Sequence, residues 1–204
     1  MNAIASRLML TLLLAPQAFA ASTTDLSVRG SITPSACAPL ISGGGVVDFG
    51  KMSVNSLNAD QHTALPNQSM QLSVRCEAPT FFTLNTIDNR SGSSANHDRW
   101  HGLGMTPNDE KLGGSAFHLY NSVADGAAVR VIVSDDGGVS WEPANELNHL
   151  WLTAFARINQ LDPIAVQDFD AEIRLFTHIA PADNLTLVDE VPVDGHATVQ
   201  LKYL

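Results

Sequence analysis

Asp25-Leu26-Ser27-Val28-Arg29-Gly30-Ser31-Ile32-Thr33-Pro34-Ser35-Ala36-Cys37, or DLSVRGSITPSAC, alternates apolar and polar side chains, has a glycine near its centre and ends at a cysteine. A period of two places Leu26, Val28, Gly30 and Ile32 on one face of a strand. Glycine inside a strand gives up packing and marks a place where another backbone comes close. The stretch reads in two ways. It is an edge strand of its own domain, or it is a strand shaped to enter a neighbouring molecule.

What precedes it bears on that choice. Residues 1–20, MNAIASRLMLTLLLAPQAFA, begin with a single cation at Arg7, continue through an apolar run from Leu8 to Leu14, and close on Ala18-Phe19-Ala20. This is the pattern of a secretory signal with a small-residue cleavage site, and its apolar run is too short for a membrane span. The expected mature chain, residues 21–204, suits one domain with a sizeable core. Loss of Arg7 takes the formal charge from −10 to −11. Such acidity argues against nucleic acid and anionic lipid as partners.

The chain has two cysteines, Cys37 and Cys76, both in the expected exported part. In an oxidising compartment a single disulfide is the default, and closing a loop of about 40 residues adds about 3–4 kcal/mol in the chain-entropy estimate. There is no Cys-x-x-Cys pair to suggest redox chemistry, and two cysteines alone make a poor metal site.

The remainder is a succession of short apolar runs separated by Gly, Pro, Asn and Asp. Met70, Leu72, Val74 and Cys76 share one strand face, and Phe81–Ile87 is a second run. Residues 88–114 read as the longest loop, and Phe117–Tyr120 as a short strand. Val129, Val131 and Val133 lead into Asp135-Asp136-Gly137-Gly138, a hairpin signal. Residues 150–158 are apolar and fit strand or helix. Ala171, Ile173, Leu175, Thr177 and Ile179 alternate cleanly, as do Ala197, Val199, Leu201 and Tyr203. No sustained helical period appears, so the expected class is all-β, a sandwich of many short strands.

Catalytic signatures are sparse. His97 and His101 are four apart, but on a Gly/Ser-rich stretch and without a His-Glu-x-x-His frame. No Gly-x-Ser-x-Gly or phosphate-binding glycine loop occurs, and no pair of carboxylates stands out for glycoside hydrolysis. Ser134-Asp135-Asp136-Gly137-Gly138-Val139-Ser140-Trp141 fits the S-x-D-x-G-x-x-W Asp-box, but only one copy is present where propellers repeat it. It is expected to be a braced hairpin. Of the three tryptophans, Trp151 lies in an apolar run and is expected in the core, while another is free to stack on a sugar. No enzyme activity, cofactor or metal is expected.

The two ends of the chain make sense together. A sandwich that lacks its last strand has an open groove beside its C-terminal strand. An alternating N-terminal extension from another copy could fill it. The residues carrying this pattern resemble the pilus (fimbrial) subunits of the chaperone–usher pathway of Gram-negative bacteria. They are the strand with Gly30 seven residues before Cys37, the Cys37 to Cys76 spacing, and Val47-Asp48-Phe49-Gly50 followed by Leu57. Gly195 and the alternating strand ending at a penultimate Tyr203 complete it. More narrowly, SACAPLISGGGVVDFG and the overall length are similar to a group of fimbrial-like secreted proteins. Gly195 stands nearer the end than in typical subunits.

The resemblance implies an incomplete immunoglobulin-like sandwich of pilin type. Residues 1–20 would be the signal, 21–36 the donor-strand extension and 37–204 the pilin-like domain. Leu26, Val28, Gly30 and Ile32 would enter a neighbour's groove, and Val199, Leu201 and Tyr203 would line the chain's own groove and face a chaperone. It further implies a minor or adaptor subunit of a surface fimbria, contributing to adhesion. The implied partners are a periplasmic chaperone, an outer-membrane usher and neighbouring subunits, with no nucleic acid and no membrane insertion. The alternative is a secreted or periplasmic monomeric β-sandwich that binds a carbohydrate or protein.

Overall fold

The computed structural model describes Ser27 and residues 36–204. The expected signal and the strand residues Leu26, Val28, Gly30 and Ile32 lie outside the described residues. The strands are β1 (Cys37–Ile41), β2 (Thr63–Ala64), β3 (Gln68–Thr80), β4 (Phe82–Asp88), β5 (His101–Gly102) and β6 (Gly113–Ala124). They continue as β7 (Ala127–Ser134), β8 (Glu142–Pro143), β9 (Glu146–Leu147), β10 (Leu152–Arg157), β11 (Val166–Ile179) and β12 (Ala197–Tyr203). The class is all-β, as the alternation in the sequence predicts. Only short 3-10 turns interrupt the strands, and residues 150–158 are resolved as strand.

One path of neighbouring strands, β1-β3-β11-β6-β7-β10-β4-β12, runs through both layers. Every pairing along it is antiparallel. The path folds over at the β6–β7 hairpin. Asp125 and Gly126, at φ of 50° and 79°, form its two-residue turn, a reversal that needs positive φ at both positions. Asp125 also accepts hydrogen bonds from the backbone N–H groups of Gln167 (3.1 Å) and Asp168 (2.8 Å), fixing the hairpin to β11. After the pairs Val123–Ala128 and Ala124–Ala127, β6 stays beside β11 while β7 pairs with β10.

The inner faces of the layers meet in a core dominated by period-two residues. Phe155 of β10 stacks on Phe169 of β11 at 3.8 Å, and Phe82 of β4 meets Phe155 edge-on at 5.8 Å. Leu72 and Val74 of β3, Leu84 of β4 and Ile173 of β11 are buried with them. Removing each such side chain from water contributes about 1.5–3 kcal/mol. Cys37 and Cys76 are directly opposite in the β1–β3 register and are joined by a disulfide.

Three readings are refined. Between β4 and β6 the chain is the long loop the sequence predicts, holding only the two-residue β5 as a strand, and hydrogen bonds brace it. Asp88 accepts from the N–H groups of Arg90 (2.9 Å) and Gly102 (3.1 Å), and the Ser93 hydroxyl donates to the Arg90 carbonyl (2.6 Å). A Cβ at Gly102 would lie 2.6 Å from the Arg90 carbonyl oxygen, so the chain packs too tightly there for a side chain. Second, the strand at Phe117–Tyr120 extends to Gly113–Ala124, because small residues at 113–116 pair with β11 as readily as bulky ones. Third, Trp151 is half-buried rather than in the core. Its ring lies beneath the Arg99 guanidinium, 4.5 Å from the ring centroid.

The Asp-box hairpin is braced as expected. Asp136 accepts from the Ser134 and Ser140 hydroxyls, each at 2.6 Å, and from the N–H groups of Val139 and Ser140, each at 3.0 Å. These donors hold its carboxyl well below the usual carboxylate range. Trp141 packs against the small cluster of Ile132, Ala154 and Ala156.

Candidate functional site: a cleft at the open seam

The strand path has two ends. Among the described residues, β1 is paired in the sheet only with β3, and β12 only with β4. The ends approach each other where the Cys37 N–H donates to the Tyr203 hydroxyl at 3.0 Å. From there they part. β1 stops at Ile41 because Ser42-Gly43-Gly44-Gly45 turns the chain aside, with the glycines at φ of 63°, 67° and 72°. That region strains any residue with a Cβ.

The seam opens into a cleft of about 700 Å³. Ile41 and Val47 line it from the β1 side, Val199 from β12, and Phe117, Ile173 and Leu175 from the inner faces of β6 and β11. These residues also belong to the main core or pack against it, so the cleft is continuous with the hydrophobic interior. Beyond this, a second cluster of Leu65, Leu103, Leu112 and Ile179 is covered by Phe49, Met52, Leu57, Leu185 and Val191. The segments carrying these covering residues are linked by an exposed ion pair between Lys51 and Glu190 at 2.8 Å.

Polar groups at the floor of the cleft bond to one another. Ser115 and Thr177 share a hydroxyl hydrogen bond of 2.9 Å. The His101 Nδ1 lies 3.2 Å from the Ser115 carbonyl, which can only accept, so Nδ1 carries the proton. Nε2 then accepts from the Thr86 hydroxyl at 2.7 Å. His101 stacks on Phe117 at 4.2 Å and is 2% exposed. Burial lowers its pKa from 6.5 to about 4, so the imidazole is neutral near pH 7. The strand-borne wall of the cleft is apolar over a neutral polar floor, while the covering segments add Asp48, Lys51, Asp189 and Glu190 to its lining; the wall suits an extended, largely apolar occupant that brings its own backbone hydrogen bonds.

The sequence-predicted residues divide on this geometry. Val199 lines the cleft, and Leu201 packs against the core. Tyr203 does not line the cleft; it is 43% exposed and closes the seam through its hydroxyl. Cys37 and Cys76 anchor the β1 side. Gly195 lies where the chain enters β12, close to Leu103, whose Cδ2 would be 2.8 Å from an added Cβ. Sequence reasoning missed Ile41, Leu103, Leu185 and Val191, which come from separate segments with no shared period. Phe49 and Leu57 were noted, but not as part of this cluster.

Among the described residues, no group of three or more His, Cys, Asp or Glu side chains is arranged to hold a metal ion. No helix among them is long and apolar enough to cross a membrane.

A family described as a protein of unknown function, DUF1120, matches residues 26–102. This span contains both cysteines, β1 and part of the cleft lining. The chain is 26% identical over 226 residues to Protein GltF of Escherichia coli (strain K12), covering 89% of this chain and 88% of that protein. It is 23% identical over 226 residues to the uncharacterized protein YhcF of the same organism, covering 93% of this chain and 94% of that one. The likeness to these relatives therefore spans most of each chain.

Proposed function

We propose that the chain is a non-enzymatic structural subunit of a surface fimbria, in a minor or adaptor position. It folds in the periplasm against a chaperone and is passed to an outer-membrane usher. A strand from a neighbour fills the cleft, and residues 21–33 of this chain fill the cleft of the next copy. The observation that carries this reading is the open seam: a cleft with an apolar wall continuous with the core, beside strands that each have one sheet neighbour among the described residues. An added strand would gain backbone hydrogen bonds along β12 and bury alternate side chains in the cleft. Leu26, Val28 and Ile32 would each contribute about 1.5–3 kcal/mol, with Gly30 where the walls crowd the backbone.

One observation favours a second reading. The covering segments already shield the outer part of the cleft with Phe49, Met52, Leu185 and Val191. A self-contained secreted binding module would use them as a permanent lid.

The test is a thermal melt of protein lacking residues 21–33, with and without a peptide spanning residues 22–33. The fimbrial reading expects a large rise in melting temperature, or rescue from aggregation, on adding peptide. A stable monomer indifferent to the peptide would replace it with the binding-module reading.

A further inference from the structure

Two segments cover the outer part of the cleft, and both are tied at their ends rather than along their length. The first, residues 46–52, lies between the glycine turn at Ser42–Gly45 and the turn at Val54–Ser56. The second, residues 187–193, lies between the Ala182–Asn184 turn and β12. They bring Val47, Phe49, Met52, Leu187 and Val191 to the cleft.

The ends are held by identifiable bonds. Beyond the first segment, the Asn58 and Ala59 carbonyls accept from the N–H groups of Ala182 (2.9 Å) and Asp183 (3.0 Å). Just before the second, the Glu110 carboxylate accepts from the Thr186 N–H (2.6 Å) and hydroxyl (2.7 Å). Just after it, the Asp194 N–H donates to the Leu103 carbonyl (3.0 Å), and the Asp194 carboxylate accepts from the Arg90 Nε (3.0 Å).

Between these fixed points the contact changes character. Among the described residues, 46–52 and 187–193 make no backbone-to-backbone hydrogen bond. What they make is a local bond from the Gly50 N–H to the Asp48 carboxylate (2.7 Å) and the ion pair of Lys51 with Glu190 (2.8 Å), whose side chains stand largely in water. Pro192 has no N–H to give to a ladder and holds Val191 extended before it. Val188 is 84% exposed, so the crest of the second segment stands clear of the wall. The cover is therefore a pair of straps lying on apolar side chains, not an additional strand zipped into the seam.

We propose that residues 46–52 and 187–193 form a gate over the cleft, which parts at the Lys51–Glu190 contact while its ends stay fixed. Segments with few buried apolar contacts and exposed backbone open at lower free energy than the paired strands beneath them. An exposed ion pair adds little to hold them together. Displacement of the gate by an entering strand rests on the fimbrial reading. Such a strand brings apolar side chains of the same kind and adds main-chain bonds along β12 that the straps do not make. The opening itself is a property of the straps and does not depend on that reading.

The test uses the full mature chain. A water-soluble carbodiimide couples Lys51 to Glu190 as an amide and so locks the gate, and Lys51→Ala treated in the same way is the control that cannot be locked. Oxidation by hydrogen peroxide is followed by mass spectrometry at Met52, half-buried in the gate, with the exposed Met105 as reference. Locking should slow Met52 oxidation roughly tenfold, as expected where local opening limits access, and leave Met105 unchanged. Treated Lys51→Ala should oxidise at Met52 as the untreated parent does. Equal Met52 oxidation in locked and untreated protein would overturn the gate and make the cover a permanent lid. So would equal slowing at Met52 in treated Lys51→Ala. A labelled peptide spanning residues 22–33 then reads displacement, and its association should slow roughly tenfold in locked protein. Association at the same rate in both forms would overturn the gate as the way in. A peptide that binds neither form, with Met52 still protected by locking, would overturn the fimbrial reading and leave the gate standing.

Discussion

The closed side of the sandwich and its open seam are built from the same kinds of residue and differ in what holds them. On the closed side, β11 has β3 and β6 as neighbours and β10 has β7 and β4. Phe155 and Phe169 stack between them. At the seam, β1 and β12 each have one sheet neighbour among the described residues. A hydrogen bond from Cys37 to Tyr203 joins them, and the disulfide ties β1 back to β3. The difference teaches where stability is stored. The closed side is a finished core, whereas the seam keeps apolar surface and strand edge in reserve.

The sharpest way to break this contrast is on the closed side. Phe169→Ala should lose about 3–5 kcal/mol in denaturant unfolding, the range for aromatic truncation in a packed core. A loss below 1 kcal/mol would mean the stack is not the centre of stability. Next comes the disulfide. Replacing both Cys37 and Cys76 by serine should lower stability by about 3–4 kcal/mol, from the entropy returned to the unfolded chain. It should also raise hydrogen exchange in β1 before any change in β10. Equal exchange in both strands would erase the distinction between seam and closed side.

The floor of the cleft predicts a pH dependence. His101 has a pKa of about 4 in the folded protein and 6.5 as a free side chain. Between these values the unfolded chain binds more protons, so stability rises with pH. The contribution is complete above pH 6.5 and is lost as pH falls toward 4. At about 1.4 kcal/mol per pH unit the full effect is about 3.5 kcal/mol. Burial lowers the His178 pKa as well and adds in the same direction. Denaturation curves at pH 4.5 and 7.5 should converge in His101→Gln relative to the parent chain. An unchanged pH slope would remove His101 from the account. The smallest effect belongs to the closure of the seam: Tyr203→Phe should cost about 1 kcal/mol, the net worth of one hydrogen bond. A larger loss would mean that contact with Cys37 closes more of the seam than one bond implies.

The parts of the fold that were legible in the sequence obey a short-range rule. In β11 and β3, period-two alternation matches the observed burial, since each residue's side of the sheet follows from its parity. The Asp-box was legible because its bracing groups lie within seven residues of one another. Residues 88–114 were legible as the longest loop but their bracing was not, because the side chain to backbone hydrogen bonds from Asp88 and Ser93 leave no periodic mark. Trp151 sits in an apolar run, yet Arg99, distant in sequence, draws its ring to the surface side.

The amino-acid sequence alone determined the all-β class, the pairing of Cys37 with Cys76 and the inward residues of the long strands, because parity and cysteine count are properties of the chain itself. Only the tertiary structure decided that β1 and β12 meet at Tyr203 and then part. It also decided that Ile41, Phe117, Leu175 and Val199 line one cleft while Trp100, Tyr120 and Phe176 share the opposite face. Those groupings join residues far apart along the chain, and their proximity is created by strand order and by the β6–β7 fold-over. No local pattern encodes either one.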